Sequence, residues 1–437
     1  MQEEEIIMEK DLRSFIKDLS KKKNEPSWML DFRLKSYEKY LELDEPDFGP
    51  KLDINYDEIN YYKDTNAGTT DNWDEVPSDI KNTFKDLGVI DAECKYLDGV
   101  TNQFESEVFY HSTKSENSDI IFCSTDDALK NHEDLFKKYF NTLVNYGENK
   151  FTALNGAFWS GGSFIYIPPY TKVDRPLQSY FRIESESLGQ FERTIIIVDE
   201  GAELEYIEGC TALSHAKSSL HAGVVEIFVH PKAKCRYSTI QNWSNDVYNL
   251  VTKRSIVDEH GVMEWVDGNI GSKVTMKYPS CILKGDYSVG NSISIAYAKE
   301  GQILDAGAKM IHLGKNTKST IISKSIAKDG GVANYRGTTR ISKNATNSRA
   351  SVKCDTILLD NKSKSDTYPK NILENNSSVL EHEATVSKVS EEQLLYLKQK
   401  GLSEDNAKNL LVLGFVDEFK KELPMEYAVE LNRLLKN

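Results

Sequence analysis

Arg193-Thr-Ile-Ile-Ile-Val-Asp-Glu-Gly-Ala-Glu-Leu-Glu-Tyr-Ile-Glu208 decides the fold. Two short β-rich runs, Arg193 to Val198 and Glu203 to Glu208, flank Asp199-Glu-Gly201, a turn-forming join. Neither run alternates cleanly, because apolar and polar residues share each strand in mixed ratio. The unit then repeats. Strand-like segments begin near Ser179, Phe191, Ala202, Ala222, Lys234, Tyr248, Val262, Lys273, Tyr287, Ile303, Thr317, Val332, Ser348, Ser363 and Ser377, mostly about 11–16 residues apart. Asp267-Gly268, Lys284-Gly-Asp286 and Asp329-Gly-Gly331 punctuate later joins. A β-sandwich or large barrel would pair antiparallel neighbours, whereas a parallel β-helix stacks successive coils. The scarcity of two-residue hairpin signals favours the stack. The expected fold is mainly β, with a parallel β-helix core over residues 151–388.

The flanks read differently. Residues 3–23 form a helical pattern through Ile6, Ile7, Leu12, Phe15, Ile16 and Leu19. Pro26 stops it, and Ser27 is placed to cap a second helix from Trp28 to about Leu43. Val76-Pro-Ser-Asp-Ile80 opens a helix ending near Gly88, and Ser106-Glu-Val-Phe-Tyr110 and Asp119-Ile-Ile-Phe122 read as short strands. Thr125 is placed to cap a helix reaching about Asn141, so residues 1–150 are an N-terminal helical and α+β region. After Lys388, Ser390-Glu-Glu-Gln393 is a capping box, with helices expected at about 391–400, 404–421 and 424–436. Residues 389–437 thus form a C-terminal helical region. Leu410, Leu411, Val412, Leu413, Phe415, Val416 and Phe419 make its middle helix apolar over a wide arc, to be covered by its own domain or by a partner.

Composition narrows the function. The 437 residues hold 54 basic and 68 acidic side chains, a net charge of −14, which argues against nucleic acid as a partner. No apolar run approaches a membrane span. Met1-Gln-Glu-Glu-Glu5 is acidic and reads as neither a signal nor a transit peptide, so a reducing compartment is expected: cytoplasmic, or an organelle stroma. Cys94, Cys123, Cys210, Cys235, Cys281 and Cys354 are dispersed without a C-x-x-C pair. Each reads first as a buried free thiol, and any metal site must be assembled from distant residues. Gly314-Lys-Asn-Thr317 lacks the frame of a phosphate loop, and His312 reads as a packed strand residue.

Longer motifs are more specific. They run through Phe158-Trp-Ser-Gly-Gly-Ser-Phe164, Gly189-Gln-Phe-Glu-Arg-Thr194, Tyr206-Ile-Glu-Gly-Cys-Thr211, Gln241-Asn-Trp243, Thr252-Lys-Arg254 and Tyr278-Pro-Ser-Cys281. They continue through Met310-Ile-His-Leu-Gly-Lys-Asn-Thr-Lys-Ser-Thr-Ile-Ile-Ser-Lys324, Leu380-Glu-His-Glu-Ala-Thr385 and Leu402-Ser-Glu-Asp-Asn-Ala407. From about Pro26 onward the chain resembles the SufB/SufD family of the SUF iron–sulfur cluster assembly system, and within it the SufB scaffold type. The resemblance implies a right-handed parallel β-helix and a complex with a SufC-type ATPase that docks on the terminal helices. It also implies pairing with SufD or a second SufB copy, sulfur from a cysteine desulfurase or its carrier, and acceptor apo-proteins as recipients.

The resemblance also implies sites. A nascent [4Fe-4S] cluster, held transiently, needs thiolates, and a scaffold that must release it is served by a mixed ligand set. Cys354, in Ser351-Val-Lys-Cys-Asp-Thr-Ile-Leu-Leu359, and Glu383 are the implied cluster ligands at the subunit interface, with His382 and Glu381 as further candidates. In a regular strand Glu381 and Glu383 share one face and His382 takes the other, and Glu383 is preferred over His382. Cys210 is the implied sulfur acceptor, and Arg182, Gln241, Trp243 and Lys253 would line a path through the interior; a satisfied hydrogen-bond ladder is the alternative reading of these polar residues. Reduced FAD is an optional electron source. The expected protein is a scaffold and not an enzyme, with ATP hydrolysis in the partner. The alternatives are a structural SufD-like subunit and a carbohydrate-active β-helix enzyme using Glu381 and Glu383.

Overall fold

The computed structural model describes residues 2–421 apart from 66–67, 87–89, 91–92, 94–95, 115–118 and 213–217. Among these residues the chain winds into a parallel β-solenoid of about eight turns, flanked by helices at both ends. Strands Glu203–Ala212, Lys234–Trp243, Val262–Gly271, Val289–Ala298, Lys318–Ala327, Arg349–Leu358 and Val379–Lys388 stack in parallel along a ten-stranded sheet. Ladder partners lie 27 to 31 residues apart in sequence, so one turn takes two of the steps read from the sequence. The return stretches form a thirteen-stranded sheet that closes the lumen.

The mixed alternation has a physical cause. Leu204, Tyr206, Tyr237, Met263 and Trp265 point into the lumen, against Ile196, Val198, Val225, Ile227, Val257 and Leu283 of the other sheet. The opposite parity, including Ile207, Ile240, Val266, Ile295 and Ile326, points outward and is also buried. Strands covered on both faces lose the apolar–polar alternation of a half-exposed sheet.

The N-terminal region clamps this scaffold. Helix Lys150–Phe158 is buried from Phe151 onward and lies over the thirteen-stranded sheet beside helix Ser27–Glu42. Asn149 caps it in a reciprocal box with Thr152. The Arg33 guanidinium donates to the Ala157 and Trp159 carbonyls at 3.1 and 3.0 Å and pairs with Glu25 at 2.6 Å. Strand Gly99–Phe104 extends the ten-stranded sheet in parallel with Leu177–Ile183. At the other end, helices Glu404–Phe415 and Asp417–Lys421 lay Val412, Val416 and Phe419 on the outer face around Ile240, Val266 and Ile295.

Several local expectations are corrected. Ser27 is the first residue of its helix and not its cap; Pro26 occupies the cap position in extended conformation. Ser124, not Thr125, caps the next helix, its hydroxyl accepting from the Asp127 amide at 3.0 Å. That helix breaks at His132 into Thr125–Asn131 and Glu133–Tyr139. The helix expected over 404–421 breaks at Val416. The segments starting near Lys273 and Ile303 are each two strands, Val274–Lys277 with Ser280–Leu283 and Ile303–Ala306 with Lys309–His312, stacked so that both interruptions fall at the same corner of the solenoid. Gly88, Cys94 and the helix expected at 424–436 lie outside the described residues.

Candidate functional site

The last turns leave the lumen open. Inner positions of Arg349–Leu358 are Ala350, Val352, Cys354 and Thr356, since the strand alternates between exposed and buried side chains. In strand Val379–Lys388, His382 stacks on Val352 and Ala384 on Cys354, so His382 shares the inner parity. His382 Nε2 lies 3.7 Å from Cys354 Sγ. Asn371, on strand Thr367–Leu373 of the opposite sheet, places its amide nitrogen 3.1 Å from His382 Nδ1. Glu381 and Glu383 stack on Ser351 and Lys353 on the outward, exposed face. Within this chain the geometry therefore sets His382, and not Glu383, beside Cys354. Burial pushes the Cys354 thiol up to about 12; the Tyr335 hydroxyl pulls it back and the Asp355 charge adds to the rise. Among the described residues no three His, Cys, Asp or Glu side chains gather closely enough to hold a metal ion.

A second group lies deep in the lumen. Cys210 is buried with Phe181, Trp243 and Val247, and its Sγ sits 3.6 Å from Glu208 Oε1. Lys253 Nζ reaches Glu208 Oε1 at 2.9 Å and Thr239 Oγ1 at 2.9 Å, and the Tyr237 hydroxyl donates to Glu208 Oε2. Burial raises the Glu208 carboxyl, but Lys253 and the Tyr237 hydrogen bond outweigh it and hold the group below its usual range. Burial and the Glu208 charge together lift the Cys210 thiol well above its ordinary value. One turn further, Lys277 pairs with Asp267 at 2.7 Å, both buried. Gln241 accepts from Asn249 at 2.8 Å, and the Trp243 ring lies 4.8 Å from that of His221. Gln241, Trp243 and Lys253 thus share the lumen with Cys210. Arg182 does not: it stacks on Thr211, has the outward parity, and pairs with Glu184 at 2.7 Å.

The two groups are joined by register. Glu208, Thr239, Asp267, Ser294, Ser323 and Cys354 are successive partners in one inner row of the ten-stranded sheet. Five ladder steps of about 4.8 Å put roughly 24 Å between its ends. Small hydroxyls occupy its middle, where Ser294 Oγ donates to Ser323 Oγ at 3.2 Å.

Comparison with known proteins supplies the identification. Residues 181–415 match the SufBD core domain of SUF system FeS cluster assembly, and residues 24–179 match the SufBD protein N-terminal region. The chain belongs to the SufBD family. Iron–sulfur cluster assembly SufBD family proteins of Staphylococcus saprophyticus and Staphylococcus haemolyticus are 56% identical to it over 426 residues, covering 97% of this chain and 92% of theirs. A Staphylococcus aureus relative of the same description matches to the same extent.

Other family-matched residues are structural. His312 is buried and bridges Thr317 Oγ1 and Ser319 Oγ, each at 2.8 Å. Gly314-Lys-Asn-Thr317 closes a turn into strand Lys318–Ala327, with no helix after it. Cys235 and Cys281 are packed in the lumen core. Sequence reading missed Glu208, Asp267, Lys277, His221 and Asn371. Parity was the available signal for the acids: Glu208 falls in step with Leu204 and Tyr206, and Asp267 with Met263 and Trp265. Among the described residues no helix is long and apolar enough to cross a membrane.

Proposed function

We propose that this SufBD-family chain is a SufB-type scaffold: it accepts sulfur at Cys210, conducts it along the solenoid interior, and supports a nascent [4Fe-4S] cluster at Cys354. The observation that carries this reading is the polar inner row from Glu208 to Cys354, which runs unbroken beside the apolar lumen residues Tyr206, Tyr237, Trp265, Ile321 and Val352. Among the described residues Gln241 Nε2 and Trp243 Nε1, beside Cys210, are buried donors without a hydrogen-bond partner, placed to meet an anionic sulfur species. Persulfide sulfur needs two electrons to become sulfide, and a reduced flavin such as FAD is the proposed donor. At the open end Cys354 and His382 offer sulfur and imidazole, an incomplete set suited to a cargo that must leave. Glu383 and Glu381 lie on the outward face of the terminal edge strand, where SufD or a second copy would add ligands. A SufC-type ATPase would dock on the C-terminal helices, which expose Leu395, Tyr396 and Leu410. A cysteine desulfurase or its carrier would load Cys210, and apo-proteins would take the finished cluster.

The test is anaerobic co-expression with the ATPase partner, then reconstitution with iron and sulfide, for the parent and Cys354→Ala. Broad visible sulfur-to-iron absorption, with matching iron and acid-labile sulfide, is expected in the parent and lost in the variant. A cluster that survives the substitution moves the site, with Cys210 next in line. No iron uptake by either protein returns the chain to a structural, SufD-like role.

A further inference from the structure

Asn371 makes a contact that the scaffold reading leaves unused. It lies on the inner row of the thirteen-stranded sheet, stacked on Thr339, and faces His382 across the open last turn. Its amide NH₂ lies 3.1 Å from His382 Nδ1, and the other ring nitrogen lies 3.7 Å from Cys354 Sγ. An amide N–H only donates, so with that end toward the ring Nδ1 accepts and a neutral ring carries its proton on Nε2, aimed at the sulfur. In this arrangement Cys354 faces an N–H donor, which suits an anionic sulfur, but Nε2 has no lone pair to offer a metal ion.

A half-turn of the Asn371 side-chain amide reverses the situation. The carbonyl oxygen then faces the ring, Nδ1 carries the proton, and the Nε2 lone pair points at the space beside Cys354. The two ends of the amide are nearly the same size, and Asn371 is exposed, so no packing opposes the turn. One proton leaves Nε2 and one arrives at Nδ1 through solvent, with no change in charge and no electron transfer.

We propose that Asn371 is a positioning residue that sets the tautomer of His382: its N–H toward the ring makes Nε2–H a donor to sulfur on Cys354, and its carbonyl toward the ring frees Nε2 to take ferrous iron beside that sulfur. This rests on Cys354 and His382 being the assembly site. Partners that fix the tautomer of a metal-binding imidazole change metal affinity by about 10–100-fold.

The experiment uses the full chain, ¹⁵N-histidine labelled, with His382→Ala to assign the ring signals and Co(II) alone as the metal probe. The parent apo-protein is expected to show His382 as the Nε2–H tautomer and to switch to Nδ1–H when Co(II) binds. Asn371→Asp, an acceptor only, is expected to show Nδ1–H before metal is added and to bind Co(II) about tenfold tighter. Asn371→Leu is expected to show mixed tautomers and about tenfold weaker binding. An apo parent already in the Nδ1–H form, or a tautomer indifferent to Asn371→Asp, overturns the proposal while Co(II) binding leaves the assembly site standing. A tautomer that follows Asn371 in a protein that binds no Co(II) at His382 supports the positioning role and removes the assembly site instead.

Discussion

Lys253 and Glu208 meet inside the solenoid, Nζ to Oε1 2.9 Å, with neither side chain reaching solvent. The pair is held by more than its own attraction. Tyr237 donates to the carboxylate and Thr239 accepts from the ammonium, so each charge keeps partners that replace water. Lys253→Met leaves Glu208 buried without its counter-charge and is expected to cost about 3–5 kcal/mol. Adding Glu208→Gln removes the stranded charge, so the double variant should be more stable than Lys253→Met alone. Urea unfolding midpoints of the four proteins, the parent, Lys253→Met, Glu208→Gln and the double variant, decide it. A double variant that loses the sum of the two single losses would show that the groups act independently.

Blocking the inner row separates sulfur conduction from cluster holding. Ser294 and Ser323 are the small polar steps between Asp267 and Cys354, and their hydroxyls hydrogen-bond at 3.2 Å. Ser323→Val fills the row with methyl groups and strands one hydroxyl, at a cost of about 1 kcal/mol. The fold should persist. Clusters built from inorganic sulfide added at the open end should form as in the parent. Clusters built from desulfurase-supplied sulfur should drop by at least about tenfold. Equal loss with both sulfur sources would mean that Ser323→Val damages the site at Cys354 and not a path to it.

The strand train was legible because turn residues recur at nearly constant spacing and β-branched residues fill the intervals. Its parity was not, because Ile207 and Ile240 are as buried outside as Tyr206 and Tyr237 are inside. Helix Lys150–Phe158 escaped notice for the same reason: a helix buried on every side carries no apolar stripe. For the site, sequence could place His382 and Glu383 on opposite faces, but not say which face holds Cys354. That follows from the register Cys354 to Ala384, a relation between strands that no local pattern encodes. Asn371 was invisible because it reaches His382 from the other sheet.

His312 makes part of the stability pH-dependent. Burial lowers its pKa from 6.5 to about 4, because the imidazolium has no water inside the lumen. A histidine held neutral by the fold contributes fully above the unfolded value. Its contribution shrinks as pH falls below 6.5, where only the unfolded chain takes the proton, and the loss is complete near the folded value of about 4. The total is on the order of 3 kcal/mol. Comparing urea midpoints at pH 7 and pH 5 for the parent and His312→Asn checks it: the parent should lose more stability than the variant across that interval. Parallel losses would assign the acid sensitivity to other groups.

The C-terminal helix presents two faces that a pair of matched substitutions can tell apart. Val412 is buried on the outer sheet face, whereas Leu410, two residues away, is half exposed. Val412→Asp places an unpaired carboxylate among Ile240, Val266 and Ile295 and should loosen the helix from the sheet, costing about 3 kcal/mol. Leu410→Asp changes only solvent-facing surface and should shift stability by no more than about 0.5 kcal/mol. Limited proteolysis between residues 404 and 421, read by mass spectrometry, should therefore accelerate in the first variant and not in the second. Co-purification with the ATPase partner should show a different pattern: Leu410→Asp should lose the partner while remaining folded, because its side chain lies on the face proposed to dock. Retention of the partner by a folded Leu410→Asp protein would move the docking surface off this helix.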